Sequence, residues 1–514
     1  MVSPSDQDLV FSFLSDTNLH PGVRRIDTHA ASVFLLGDRA LKIKRAIRLP
    51  FLDYSTLSLR KAACTKEIEI NRPFAPDIYR RVAAITKTSD GKLAIDGTGT
   101  AIEYAVEMRR FDDSQTLDHL ARDHQISADT ASLLADTIAT SHQLAIRFAS
   151  STWIDSIPRW IDAFITSFRA SRRFDVTEID ELELACRSTL ARLKPLLQQR
   201  ADAGYVRRCH GDLHLANIVM VDDKPVLFDA IEFDDRIAII DVLYDLAFPL
   251  MDLLHFEQSA AANQLLNSYV FVSSPDEMEG LAALPLFMAI RAAIRAQVFL
   301  AKLDRDQADH SEADRSEIFD TANRYFHLAR RLISPAPPLM IAIGGLSGTG
   351  KSALARALAP LTIPPPGAIV LRSDVLRKQL AGVAQTDRLP KAAYTAEASA
   401  EVYRELMNRA ARLLAQGVTV IVDAVFAKQN ERTDIQALAK RLNVPFSGLF
   451  LVADLRIRKE RIHHRVNDAS DATTTVAEGQ EGYDLGALDW LQVDASGSPE
   501  QTLRRSLALL GLRN

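Results

Sequence analysis

Two short stretches hold residues whose types and spacing could do chemistry. The first is Gly345-Leu346-Ser347-Gly348-Thr349-Gly350-Lys351-Ser352, with the pattern G-x-x-x-x-G-K-S. Glycines at this spacing let the backbone N–H groups of Ser347, Gly348, Thr349 and Gly350 wrap a phosphate without Cβ clashes. Lys351 supplies a point charge to the terminal phosphates, and Ser352 offers a hydroxyl to Mg²⁺. The apolar run LMIAIGG before the loop reads as a buried strand. The segment SALARALA after it reads as a helix whose positive end adds to the phosphate site.

Further along, AIVLRSD reads as a strand ending at Ser373-Asp374. A carboxylate at a strand end faces the ligand edge of a parallel sheet. Asp374 is thus a candidate general base for an attacking hydroxyl, with a helix N-cap as the structural alternative. Arg377, three residues on, is placed to hold a substrate anion. A third strand, VTVIVD, ends at Asp423, a candidate Mg²⁺ carboxylate or, alternatively, a surface turn residue. In LRIRKERIHHRV, Arg461 and Arg465 are expected one turn apart on one helix face. Such a pair can clamp a transferring phosphoryl group; a solvated basic face is the alternative.

The second stretch is His210-Gly211-Asp212-Leu213-His214-Leu215-Ala216-Asn217, followed by a strand-like VLFDA containing Asp229. An Asp and an Asn five apart on a tight loop can both face a nucleotide's phosphates. Asp212 would orient and deprotonate a substrate hydroxyl. Asn217 and Asp229 would give hard oxygen ligands to Mg²⁺. The alternative is an Asp/Asn-rich hairpin.

These residues need elements to position them. SVFLLGDRALKIK reads as a hairpin turning at Gly37-Asp38, Thr56 to Asn71 as a helix and AIEYAVEMRRF as a further strand. From about residue 112 to 330 the pattern is mostly helical, interrupted by the loop-rich 209–235. Arg291 and Arg295 sit four apart on an apolar helix and are expected to face inward, pairing with a carboxylate such as Asp241 or, alternatively, binding an anionic substrate. Ser334-Pro335-Ala336-Pro337-Pro338 reads as an extended linker. The expected domains are therefore 1–335, with a small lobe to about 110 and a helical lobe from 111, and 336–514. Asp468 to Gly482 reads as a mobile loop.

Composition narrows the class. The net charge is -5, and residues from Ala336 carry 22 Lys and Arg against 18 Asp and Glu. Neither half has the basic footprint expected of a nucleic-acid binder. No apolar run approaches the roughly 18 residues of a membrane span, and the N-terminus lacks a signal-peptide pattern. Three widely spaced cysteines fit a reducing cytoplasm and argue against a disulfide framework or zinc site.

The H-G-D-x-x-x-x-N…D constellation resembles that of aminoglycoside phosphotransferases and related small-molecule kinases. The resemblance implies an α+β, protein-kinase-like bilobal fold. It puts Lys42 at the nucleotide-binding strand lysine, with Lys44 as the fallback, and Glu67 at its helix partner, in preference to Glu69. Asp245 resembles a structural aspartate that braces the catalytic loop. Thr28 to Ser32 stand where a glycine-rich loop would cover phosphates. The C-terminal part resembles P-loop kinases of an α/β fold with a parallel sheet, and Arg461, Arg465, Asp468 and Asp471 look like the lid of a group of bacterial predicted kinases. The whole arrangement resembles bacterial fusions of an aminoglycoside phosphotransferase with an ATP-binding P-loop domain. The expectation is a cytoplasmic, ATP- and Mg²⁺-dependent kinase with two sites, each phosphorylating a small-molecule hydroxyl. The alternatives are 5′-hydroxyl polynucleotide kinase activity in the C-terminal domain, or a nucleotide-binding protein in which one domain regulates the other.

Overall fold

The computed structural model describes residues 5–49, 52–149, 151–273, 275–305, 311–465 and 468–512. The chain packs as two compact units, 1–159 with 197–252, and 160–196 with 253–514.

The first unit is built on an antiparallel sheet. Its strand order is Arg24–Asp27, Ala31–Leu36, Arg39–Lys44, Thr100–Arg109, Tyr79–Lys87 and Leu93–Ile95. The hairpin turns at Gly37, whose φ of 59° suits a residue without Cβ. Alternation along these strands splits their side chains between two faces. One face, with Phe34, Leu41, Ile43 and Ala105, packs on Val10 and Leu14 of the helix Ser5–Ser15. The other, with Leu35, Ala40, Val106 and Met108, covers Cys64 and Ile68. Those two belong to the helix Leu57–Asn71, which Thr56 caps by accepting from Leu59 N. The same helix turns Glu67 fully inward and leaves Glu69 exposed.

The loop 209–217 lies between the strand Val206–Arg208 and the hairpin Ile218–Val221 with Lys224–Leu227. Asp245, on the helix Val242–His255, braces it from below. Its carboxylate accepts from His210 N at 3.2 Å and Gly211 N at 2.9 Å, and meets His142 Nε2 at 3.2 Å. Asp241 pairs with Arg200, at 2.7 and 2.9 Å, so its partner is not the arginine expected from the sequence.

The second unit contains a parallel five-stranded sheet, in the order Ile369–Arg372, Val420–Asp423, Met340–Gly345, Phe446–Val452, Leu491–Asp494. The central strand Met340–Gly345 is buried along its whole length, as a parallel strand covered on both faces must be. Ile341 and Ile343 meet Leu354 and Leu358 of the helix Lys351–Leu358 in one core, and burial of each such side chain contributes about 1.5–3 kcal/mol. Residue 336 precedes this sheet, yet the helices Ser259–Val272, Leu284–Arg305 and Glu312–Ile333 belong to the same compact unit. The helical stretch Met278–Asp304 is long and apolar enough to cross a membrane by length and composition, although Arg291 and Arg295 interrupt its apolar run. Two-thirds of its most apolar window is buried, as in a core helix. The expected mobile loop 468–482 instead holds a short helix, Thr474–Gly479, and two paired aspartates, Asp468 and Asp471.

Candidate active sites

In the first unit, Lys42 is the hub. Its Nζ lies 2.9 Å from Glu67 Oε1 and 2.5 Å from Asp229 Oδ1. Burial alone would lower the pKa of this ammonium, but Asp229 and Glu67 outweigh that and hold it well above its usual value. Burial likewise pushes Glu67 up, and Lys42 and Lys44 bring it down to about 2. Lys44 is not idle: it lies 2.6 Å from Glu67 Oε2 and 2.5 Å from Glu232 Oε1. Half-buried Lys42 and buried Lys44 thus join a strand, a helix and the segment 229–232.

Asp229 adopts a positive φ of 60°, and its N–H donates to Tyr79 Oη at 3.0 Å. This unusual backbone turn aims the carboxylate back at Lys42. Across the loop, Asn217 Nδ2 donates to Asp212 O at 2.9 Å and Asp212 Oδ2 at 3.3 Å. An amide that donates through its nitrogen keeps its oxygen for a cation. Asp212, Asn217 and Asp229 offer only oxygen, a donor set that suits Mg²⁺. The turn at Thr28 to Ser32 is tied up with itself: Thr28 Oγ1 donates to Ala31 O at 2.9 Å, and Ser32 Oγ donates to Asp27 at 2.6 Å.

In the second unit the glycines are required by close packing. Gly345 has a φ of 138°, and a Cβ there would come 2.7 Å from Leu451 O. Gly348 has a φ of 85°, and a Cβ there would come 2.6 Å from Arg458 O. Gly350 caps the helix that starts at Lys351. Lys351 Nζ reaches Leu346 O at 3.3 Å, and burial lowers its pKa. Ser352 Oγ donates to Asp423 Oδ2 at 2.5 Å. The loop is also held from outside: Arg458 Nε donates to Ser347 O at 2.9 Å, and Gln480 accepts from Ser347 N at 2.7 Å.

One cavity of about 1320 Å³ runs along this loop and is lined by Lys351, Asp374, Arg377, Asp423, Arg461 and Arg465. Ser347 to Ser352, Asp374, Arg377, Asp423, Arg461 and Arg465 therefore meet in one place, while Gly345 lies outside the lining. The surrounding elements remove the N-cap alternative for Asp374 and overturn the shared helix face of Arg461 and Arg465. Arg372, not Asp374, is the N-cap of the helix Ser373–Leu380, so Asp374 sits inside the first turn. Its carboxyl is pushed up, by burial first and by Asp423 as well. The helix Leu455–His463 ends before Arg465, so Arg461 and Arg465 do not share a helix face. Arg461 donates to Gly497 O at 2.7 Å and Thr349 O at 3.4 Å. Arg377 donates to Ala393 O at 2.6 Å and lies 4.8 Å over the Tyr394 ring.

Residues 82–284 match the model of the phosphotransferase enzyme family, and residues 340–483 match that of an AAA domain. The chain joins a phosphotransferase-family domain to an AAA-type P-loop domain. An uncharacterised protein of Mycobacterium tuberculosis and one of Mycobacterium bovis are each 27% identical over 490 residues, covering 93% of both chains. A choline/ethanolamine kinase family protein from Mesorhizobium loti is 14% identical, with a TM-score of 0.38, over 63% of this chain and 99% of its own. A gluconokinase from Sinorhizobium meliloti is 22% identical, with a TM-score of 0.26, over 34% of this chain and 94% of its own.

The kinase-like fold of the phosphotransferase domain and the parallel sheet of the P-loop domain are those the motifs implied. Sequence reasoning passed over four residues that shape the sites. Glu232 lies three residues after Asp229 and holds Lys44. Arg458 lies one turn before Arg461 and is buried against the P-loop. Arg372 sits 3.4 Å from Asp423 and 3.0 Å from Asp468. Tyr79 holds the Asp229 backbone. Only Arg458 had a sequence signal, its helical spacing from Arg461.

Proposed function

We propose that the protein is a two-site, ATP-dependent phosphotransferase of a reducing compartment, each site moving the γ-phosphoryl group to a hydroxyl of a small molecule. In each transfer the acceptor oxygen bonds to the γ-phosphorus, and the bond to the β–γ bridging oxygen breaks. The electron pair leaves on ADP, and the hydroxyl proton passes to a carboxylate. Asp374 takes that proton in the P-loop domain and Asp212 in the phosphotransferase domain. The observation that carries the reading is the convergence of Lys351, Ser352, Asp374 and Asp423 on one cavity.

Bound Mg²⁺ would neutralise charge on the phosphates in each site. Ser352 and Asp423 would hold it in the P-loop domain, and Asn217 and Asp229 in the other. Lys42 would steady the phosphates, with Glu67 fixing its position. Arg461 and Arg465 flank the P-loop, where positive charge favours the transition state. Arg377, Arg388, Lys391 and Lys428 line the same cavity, which favours an acceptor bearing a carboxylate or phosphate. All three cysteines are buried free thiols, in keeping with a reducing setting.

The test is label transfer from γ-labelled ATP to a small-molecule extract, by the wild type, Asp212→Ala and Lys351→Ala. One labelled product should vanish with each substitution. Transfer to RNA ends that is lost in Lys351→Ala would instead make the P-loop domain a polynucleotide kinase. Products that survive both substitutions would overturn the two-site reading.

A further inference from the structure

The strand Ile369–Arg372 lies at the edge of the parallel sheet. Its inner side pairs normally, Ile369 N donating to Thr419 O at 3.0 Å. Its outer groups meet a side chain. Asn267 Oδ1 accepts from Val370 N at 2.8 Å, and Asn267 Nδ2 donates to Ala368 O at 3.0 Å. Asn263, one turn earlier, donates to the same Ala368 O at 3.0 Å and to Pro366 O at 3.1 Å. Both asparagines stand on the helix Ser259–Val272, far from the P-loop domain in sequence and outside the stretch matching its family.

This strand carries the acceptor side of the site. Arg372 closes it and contacts Asp423 and Asp468. Asp374 and Arg377 follow within the next turn and a half. The phosphate loop is elsewhere, at the end of Met340–Gly345, with Val420–Asp423 between. A helix that merely covered a sheet edge could do so with apolar side chains. Two amides bonded to chosen backbone atoms instead fix the strand along its own axis, and a slip of one residue would turn its side chains to the other face.

We infer that Asn267, supported by Asn263, is a positioning residue for the P-loop site, through which the helix Ser259–Val272 sets the placement of Asp374 and Arg377 but not that of the phosphate loop. The inference rests on Asp374 being the base of that site. It makes P-loop transfer depend on a helix contributed from outside the P-loop domain.

The experiment uses the full chain carrying Asp212→Ala, so that label transfer from ATP to a small-molecule extract reports the P-loop site. Asn267→Ala removes both bonds; Asn267→Asp keeps the acceptor for Val370 N but sets a carboxylate against Ala368 O. Both should slow transfer roughly 10–100-fold, the scale of a small misplacement of reacting groups. The KM for ATP should not move. Hydrogen exchange should quicken in 368–374 and stay unchanged in 346–352. Asn267→Ser, with one short polar group, replaces the alanine variant if that chain does not fold. Unchanged transfer despite faster exchange would overturn the inference, as would equal losses in transfer, ATP KM and 346–352 protection. Asp374→Asn is measured beside them. If it abolishes transfer while the Asn267 variants are silent, only the positioning role fails; if it is itself silent, the base assignment fails.

Discussion

Ser352 Oγ and Asp423 Oδ2 lie 2.5 Å apart, joining the first turn of the helix after the P-loop to the end of the neighbouring strand. One residue is fixed by the loop and the other by the sheet, so the two oxygens are preorganised before any cation arrives.

Asp423→Asn tests that pair. The amide oxygen can still accept from Ser352, so the fold should hold, while the charge is lost. The Mg²⁺ concentration for half-maximal transfer at the P-loop site should rise roughly tenfold or more, since the carboxylate charge is what a hard cation binds. A metal titration of label transfer measures this, and an unchanged midpoint would remove Asp423 from the metal site.

The phosphotransferase domain gives a prediction about both turnover and acid stability. Asp229→Ala should abolish product at the first site and leave the Lys351-dependent product intact. Glu67→Gln should act on stability. Glu67 is held at about 2, below the ordinary 4.5, by Lys42 and Lys44. A depressed carboxylate adds stability that is full above its unfolded value and lost as pH falls through the folded one. The wild type should therefore lose stability between about pH 4.5 and 2, and the glutamine variant should lose less over that window. Urea unfolding at stepped pH reads the difference, and parallel curves would mean that Glu67 is not paired as described.

Much of this was legible in the sequence because it is local. The spacing in Gly345 to Ser352, and in Asp212 to Asn217, fixes loops whose chemistry depends on neighbours a few residues away. Family resemblance places Lys42 and Glu67, the strand-like VLFDA places Asp229, and Lys42 meets both carboxylates. The Lys44–Glu232 pair was not legible, because it spans 188 residues and depends on how a strand faces a distant loop. The role of Asn267 was hidden for a related reason: nothing in AIVLRSD says that this strand lies at the sheet edge. Arg465 was misplaced because helix ends are set by packing as much as by composition. The segment 468–482 reads as polar and unstructured, yet Arg372 and Lys378 from another part of the domain pin its aspartates.

Arg458 offers a test of how the P-loop keeps its shape. It is 2% exposed and donates to Ser347 O and Ala477 O, besides pairing with Glu481. Arg458→Met keeps the bulk but frees the Ser347 carbonyl and leaves Glu481 without its cation. Removing one partner of a buried ion pair costs about 3–5 kcal/mol, and here the outward exposure of Glu481 should bring the cost toward the lower end. Thermal unfolding should register the loss, and the KM for ATP should rise more than kcat falls, because the loop that cradles phosphate has lost its brace. A stable variant with normal ATP KM would make Arg458 a surface-like contact despite its burial.

Asp374 separates chemistry from architecture at one position. It is not the N-cap of its helix, so the reading of a purely structural cap is already gone. Its carboxyl lies above the usual range because burial, and then Asp423, disfavour the charge. A group with a raised folded value stabilises the fold only where it is protonated, and that contribution is lost as pH rises through the folded value. Where pH exceeds that raised value, the buried charge of Asp374 is therefore a cost to stability. Asp374→Asn removes the charge and keeps the size, so the variant should melt at or above the wild-type temperature. Transfer at the P-loop site should nevertheless fall roughly 100-fold or more, the scale of losing a general base. In the wild type, kcat/KM should rise with pH along an acid limb displaced above the ordinary carboxylate value of about 3.9. The variant should lack that limb. Product must be measured rather than ADP, because water can replace the acceptor and hide the loss. A variant that is less stable but still active would reverse both assignments and leave Asp423 as the next candidate for the base.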